Sequence, residues 1–537
     1  MQARRALLLL VFAAPLFVGL EDSSIWDSNE AYYAQTPREM ITRSDWLVPY
    51  FNGQPRLNKP PLSYWVVGLF YKIFSVSVFW ERLAMALLGL GSILTVHWMG
   101  GMLFDGRVAL WGAGIFATTF RFLVLSRRLF IDVLMLFCIL MAVACFVCWL
   151  QSNRKSTFLF SVFFLALGFL SKGPVVLLTA VSVLLFLFFS GNFSRLREAP
   201  LWRAGSVFIL VSVPWFLLVG ERFGWERVAH FFLSENWGRF SYLDYGPSRG
   251  VFYYFGVFLG DIFPWSLFFP AALAWWASGG RRRSTPSQRQ SNLLLLFWVA
   301  AWFIVFSLSR NKQEYYILPV YPAVSLLLAY YFRHGRPPGW VSGLIGALLV
   351  VLGLALFGVA RILFPQVGWV WLPGLLLAGF PFLAVRRSWT AAVLSLSFCF
   401  DAAFFLYLQP LEAYRPVHHF ARELQSREMS GNHFVAGYYR FPAPSLAFYL
   451  DRPILELNDF DQAVKHLSSS QHVYLIVGAD DFEKLQRTTS VKLEVVETRP
   501  RLSTRGRSLL ANLISWPPSG SSSWTRTVYL ITNGRGG

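Results

Sequence analysis

The strongest constraint on this chain is a succession of apolar runs, each long enough to cross a bilayer. A hydrocarbon core of about 30 Å needs roughly 20 mostly apolar helical residues. Such runs fall near 4–20, 83–103, 108–126, 129–150, 157–171, 174–190 and 203–221. They continue near 252–276, 292–309, 315–332, 340–363, 367–385 and 389–408. Only 14% of the residues are charged and 55% are hydrophobic, where a soluble domain has about 25% charged residues. A water-soluble core cannot hide this much apolar surface. Disorder, collagen and a small disulfide scaffold are excluded as well. The expected fold is a polytopic α-helical membrane protein of about 13 spans.

Charge sets the expected sidedness. The first run follows Arg4 and Arg5 and is followed by Glu21 and Asp22, with no small-residue cleavage site, so it reads as an uncleaved anchor. With Arg4 and Arg5 inside, alternate loops on that side are basic: Arg154-Lys155, Arg195/Arg197/Arg203, Arg281-Arg282-Arg283, Arg333/Arg336 and Arg386-Arg387. The net charge of +19 would suggest nucleic acid in a soluble protein. Here membrane orientation explains much of it, and no nucleic-acid partner is expected. An odd number of spans puts the C-terminus outside. Residues 1–409 are therefore expected to form the transmembrane domain, and 410–537 an extracytoplasmic soluble α/β domain. In that tail, Phe434 to Gly437, Val473 to Gly478 and Trp524 to Thr532 read as strands. Phe460 to Leu467 and Asp481 to Leu485 read as short helices, and Leu502 to Ser523 as an insertion. The four cysteines, Cys138, Cys145, Cys148 and Cys399, all lie in apolar runs and read as core residues.

Some basic residues break the charge rule. Arg127-Arg128, Lys172, and Arg310 with Lys312 lie on the side that should be poor in Lys and Arg. Snorkelling toward headgroups accounts for any one of them. As a set facing one compartment, they point to an anionic ligand. The longest outer loop, 21–82, adds more polar chemistry. A helix starting near Ser28 is expected to lie on the membrane surface, with Ala31, Ala34, Met40 and Ile41 apolar and Pro37 as a kink. Asp27 and Glu30, three apart, either project side by side or belong to a capping box. Lys59-Pro60-Pro61 presents a cation on a stiff backbone just before an aromatic membrane segment, Leu62 to Phe74.

These residues together resemble the GT-C type of lipid-linked-sugar glycosyltransferase. The similarity is to the bacterial branch around the lipid A aminoarabinose transferase, related to protein O-mannosyltransferases. It is carried by Asn29-Glu30, Arg38-Glu39-Met40, Asp45-Trp46 with Pro49, Asn52-Gly53, and Lys59-Pro60-Pro61 with Tyr64-Trp65. Further along come Ser126-Arg127 before Asp132, Ser171-Lys172-Gly173-Pro174, Asn236 with Arg239-Phe240, and Tyr316-Ile317-Leu318-Pro319. The resemblance reaches to about residue 330. It departs at two positions, since Asn29 stands where the family has Asp and Tyr32 where it has Arg.

The resemblance implies transfer of a sugar from a polyprenyl-phosphate donor to an extracytoplasmic lipid, glycan or protein, with inversion. Glu30 and Asp27 are the expected base candidates, and Asp132 orients the sugar or a cation. Lys59, Lys172 and Arg239 are expected to hold the donor phosphate, with Tyr316 donating a hydrogen bond. Asn29, Tyr32, Arg127, Arg128, Arg310 and Lys312 are additional candidates. No cofactor is required; relatives allow a divalent ion, but no ligand set can be assembled here. His418-His419 reads as a solvated linker. The implied location is the bacterial cytoplasmic membrane, with the active site facing the periplasm. Two rivals share some features. A lipid-linked-sugar flippase would suit the basic loops, but the halves show no repeat. A non-catalytic scaffold gains from Asn29 and loses from Glu30 and Lys59-Pro60-Pro61.

Overall fold

Where the chain leaves a span, short polar residues and prolines set the geometry. The structure, a computed structural model, describes residues 2–27, 29–241, 249–279, 284–335, 389–430, 433–489, 491–502 and 525–534, and scattered positions between 340 and 354. Helix α1 (Gln2–Ala13) is followed by α2 (Asn29–Thr42), a small hairpin of β1 (Tyr50–Phe51) and β2 (Gln54–Pro55), and α3 (Leu62–Ile73). Next come α4 (Val78–Leu103), α5 (Gly106–Ala117), α6 (Phe120–Ser126), α7 (Ile131–Ser152), α8 (Lys155–Lys172) and α9 (Leu178–Phe189). Ser77 caps α4 by accepting from the Trp80 amide at 3.3 Å. Asp105 caps α5 by accepting from the Arg107 and Val108 amides at 2.7 and 3.0 Å.

Among the described residues, five helices are long and apolar enough to cross a membrane, or seven if each of two bent pairs is one span. The runs 340–363 and 367–385 lie almost wholly outside the described residues. So do Arg281-Arg282-Arg283, Arg336, Arg386-Arg387 and nearly all of the 502–523 insertion. Two runs, 252–276 and 108–126, differ from the expected straight crossing. Residues 252–276 form Tyr253–Asp261 and Trp265–Ala277, bent by 107°. Pro264, at the break, has no amide to continue the helix ladder. The pair of α5 and α6 is bent by 67°. Helix α7 is the most enclosed of the long helices, with 78% of its apolar window buried. That explains why it is apolar on every side rather than along one stripe.

The C-terminal residues build an α/β layer. Strands β3 (Val435–Tyr439), β4 (Leu455–Leu457), β5 (Val473–Gly478), β6 (Glu494–Leu502) and β7 (Thr525–Thr532) form one sheet in the order β4-β3-β5-β7-β6. β3 is parallel to β4 and β5, whereas β7 runs antiparallel to β5 and β6. The 21–82 loop is knitted into this layer. Asn52 donates to the Ile454 carbonyl at 2.9 Å and accepts from the Ile454 amide at 2.8 Å. Arg38 donates to the Phe448 carbonyl at 2.9 Å and pairs with Asp451 at 2.5 Å. Phe51 enters the apolar cluster of Val417, Phe420, Leu446 and Leu530. Helix α2 is thus covered by protein as well as by the membrane domain, and is not a free surface helix.

Candidate active site

The start of α7 and the end of α8 meet because the two helices are antiparallel neighbours joined by a short turn. That brings Asp132, in the first turn of α7, to Lys172, in the last turn of α8. Their side chains form a close ion pair. Gly173 then reverses the chain at φ +88°, and a Cβ there would lie 2.7 Å from the Phe231 ring. Lys172 also lies 5.2 and 5.0 Å from the ring centres of Tyr315 and Tyr316.

A second charged group faces the first. Lys59 reaches Glu235 at 3.4 Å, and Arg239 pairs with the same carboxylate oxygen at 2.7 Å. Glu235 and Asn236 sit on a π-helical turn, Leu233–Gly238, a local geometry that often marks functional sites. Burial, then repulsion from Arg239, lowers Lys59 to about 8, with Glu235 opposing the shift.

Between the two groups lies a cavity of about 530 Å³. Its polar lining includes Asn29, Arg56, Lys59, Asp132, Lys172, Glu235, Arg239 and Tyr316. Its apolar lining includes Met135, Leu178, Val181, Trp302, Val305 and Phe306. The four cations Arg56, Lys59, Lys172 and Arg239 outnumber the carboxylates Asp132 and Glu235, so the lining carries a net charge of +2. A cavity lined by both an excess of cations and many apolar side chains fits a lipid whose head is an anion.

The structure brings together Lys59, Asp132, Lys172, Arg239, Tyr316 and Asn29. It does not bring the other expected residues there. The expectation that Asp27 and Glu30 project side by side is corrected, because the helix starts at Asn29 and Asp27 precedes it. Asp27 accepts from the Ser445 amide at 2.8 Å, against the C-terminal layer, and burial raises it to about 6. Glu30 turns the opposite way. It is fully buried, bound by Arg82 at 2.8 and 3.0 Å, and accepts from the Trp26 and Leu129 amides at 2.7 and 3.2 Å. Burial pushes Glu30 up, but Arg82 outweighs it and holds the carboxyl below its ordinary value.

Tyr32 packs edge-on to Phe51, with Arg56 over its ring at 3.9 Å. Arg127 donates to the carbonyls of Pro15 and Gly19. Arg128 lies over Trp26. Lys312 donates to the Ser309 carbonyl, and Arg310 is exposed. Sequence reasoning missed Glu235, Arg56, Tyr33 and Tyr315. Glu235 carried a usable signal, since it stands four residues before Arg239. Among the described residues, no group of three or more His, Cys, Asp or Glu side chains is placed to hold a metal ion.

Known proteins share this fold. ArnT from Cupriavidus metallidurans, solved bound to undecaprenyl phosphate, superposes with a TM-score of 0.77. It is 20% identical and the match covers 98% of this chain and 97% of that one. The chain has the GT-C fold. An Archaeoglobus fulgidus oligosaccharyltransferase shares the fold at a TM-score of 0.51 and 14% identity, over 92% of this chain and 70% of that one. Residues 58–217, which include Lys59, Asp132 and Lys172, match the family of dolichyl-phosphate-mannose-protein mannosyltransferases. An uncharacterized protein from Aquifex aeolicus is 27% identical over 85% of this chain and 88% of its own length. The undecaprenyl phosphate-alpha-4-amino-4-deoxy-L-arabinose arabinosyl transferase of an Enterobacter species is also 27% identical. There the match covers 66% of each protein, just under two thirds of that relative.

Proposed function

We propose that the protein transfers a sugar from a polyprenyl-phosphate donor to an acceptor on the extracytoplasmic face of the bacterial cytoplasmic membrane. The observation that carries this reading is the cavity's lining, which combines a net charge of +2 with a large set of apolar side chains. A sugar-linked lipid phosphate is a diester with one negative charge. When the bond to the anomeric carbon breaks, the departing monoester gains a second charge. Lys59, Lys172, Arg239 and Arg56 are placed to stabilise that growing charge, which is where preorganised cations lower the barrier. The prenyl chain lies along Leu178, Val181, Val305 and Phe306.

The acceptor oxygen attacks the anomeric carbon as the lipid phosphate leaves with the bonding electrons, so one displacement inverts the centre. For a hydroxyl acceptor, the proton goes to Asp132, whose carboxylate is released when Lys172 turns to the phosphate. An acceptor oxygen that is already ionised needs no base. Glu30 acts as an anchor, joining α2 to α4 and to the turn before α7. Asp27 acts at the contact with the C-terminal layer. Tyr316 shares the cavity wall with Arg239 and donates to the phosphate or sugar.

The test is binding and turnover with purified full-length protein. Undecaprenyl phosphate should bind wild type, and Lys59→Met or Lys172→Met should weaken it about tenfold or more. Equal affinity in all three proteins would refute the donor assignment.

A further inference from the structure

A second cationic site lies outside the donor cavity, where three distant segments meet. Trp26 opens the first loop, Arg128 stands between α6 and α7, and Arg415 follows the Trp389–Glu412 helix. The guanidinium carbons of Arg128 and Arg415 lie 3.8 and 4.5 Å from the Trp26 ring centre. Trp26 is 42% exposed, so the cluster opens to solvent.

The surrounding charges do not balance. Arg82 and Glu30 neutralise one another. Arg415 lies 3.8 Å from Glu412 and donates to the Ser24 carbonyl at 2.8 Å. Arg127 is occupied by the Pro15 and Gly19 carbonyls. Among the described residues, Arg128 has no carboxylate within ion-pair distance and no side-chain hydrogen bond. Burial first, then repulsion from Arg415, pulls Arg128 below its ordinary value. An unpaired, half-buried guanidinium held beside other guanidiniums is costly unless an anion joins it.

We propose that Trp26, Arg128 and Arg415 form a binding site for the phosphate of a membrane lipid headgroup, separate from the donor cavity. Arg128 immediately precedes the α7 span, and Arg415 closely follows another apolar helix, so both stand at headgroup depth. The indole belongs at the same level, where its ring meets acyl chains and its edge meets water. Two guanidiniums present forked donors suited to phosphate oxygens. The site would hold a phospholipid of the surrounding bilayer. It does not depend on which sugar the donor carries.

Native mass spectrometry of the full-length protein tests this, with phosphatidic acid as the probe and phosphatidylcholine as the neutral reference. Wild type should retain phosphatidic acid selectively. Arg128→Gln and Arg415→Gln should each reduce that retention roughly tenfold while still binding undecaprenyl phosphate. Lys59→Met should do the reverse, so failure of the donor assignment is read separately. Unchanged retention in both Arg variants overturns the site. Loss of both ligands in both variants also overturns it, because the residues would then be structural. Displacement by excess inorganic phosphate, with no preference for the lipid, overturns the lipid assignment in favour of free phosphate.

Discussion

Replacing Glu30 separates two roles for a carboxylate that the sequence places among the catalytic candidates. Its two oxygens meet Arg82 at 2.8 and 3.0 Å and accept from the Trp26 and Leu129 amides. With charge centres about 4 Å apart and an effective dielectric near 20, the pair attraction is about 4 kcal/mol. Removing one partner of a buried pair costs about 3–5 kcal/mol, because the other charge stays buried. Glu30→Ala should therefore destabilise the full-length protein by about that amount. The readout is thermal unfolding in detergent, followed by size-exclusion chromatography. Adding Arg82→Met to Glu30→Ala should recover part of the loss, since no unpaired guanidinium remains. Glu30→Gln should also lower the thermal midpoint. A general base behaves differently: Glu30→Gln would unfold like wild type and lose about 10²–10⁴ in rate. That pattern would refute the anchor role and return Glu30 to the chemistry.

Other outcomes follow from the cavity and its cover. Lys59 must be protonated to hold the donor phosphate, and its lowered value of about 8 means the charge is lost as pH rises through that point. Donor affinity should accordingly fall above about pH 8, and Lys59→Arg should flatten the profile. Glu235 opposes the lowering of Lys59, so Glu235→Gln should move the alkaline limb to lower pH; a limb that stays in place argues against this coupling. Asp132→Asn should retain undecaprenyl phosphate yet lose about 10²–10⁴ in rate with a hydroxyl acceptor, measured as single turnover. Asn52→Ala removes two hydrogen bonds to the Ile454 backbone and should cost about 1–3 kcal/mol. Hydrogen exchange over 445–457 should report that loosening.

Much of the helical layout was legible because apolar length is a direct statement about bilayer thickness. Among the described residues, the helices long and apolar enough to cross a membrane fall on expected runs, and the strands at Val435–Tyr439 and Val473–Gly478 fall where short apolar runs end in or near Gly. The bend within 252–276 was not legible, because a proline in a mostly apolar run, here Pro264, can kink a span without breaking it. The divergence of Asp27 and Glu30 was hidden for another reason. Helical spacing relates two side chains only if both lie in the helix, and α2 begins after Asp27. The covering of α2 depends on Asn52, Arg38 and Phe51 meeting residues some 400 positions away. No local pattern carries that information.

The cations of the site could be read more easily than its carboxylates, and membrane insertion explains the asymmetry. Lys172 stands out because it opposes the positive-inside bias; nothing in that bias marks Glu235, although both line the same cavity. The same signal also selected Arg127 and Lys312, whose side chains bind backbone carbonyls of Pro15, Gly19 and Ser309. A helix or turn end offers unpaired carbonyls, and a cation can be held there without any ligand. Lys172 is also at a helix end, but Gly173 turns the chain away and its side chain meets Asp132. What separates a ligand-binding cation from a structural one is therefore the acceptor beside it. A carboxylate or a carbonyl in that position can be told apart only when the packing of distant segments is known.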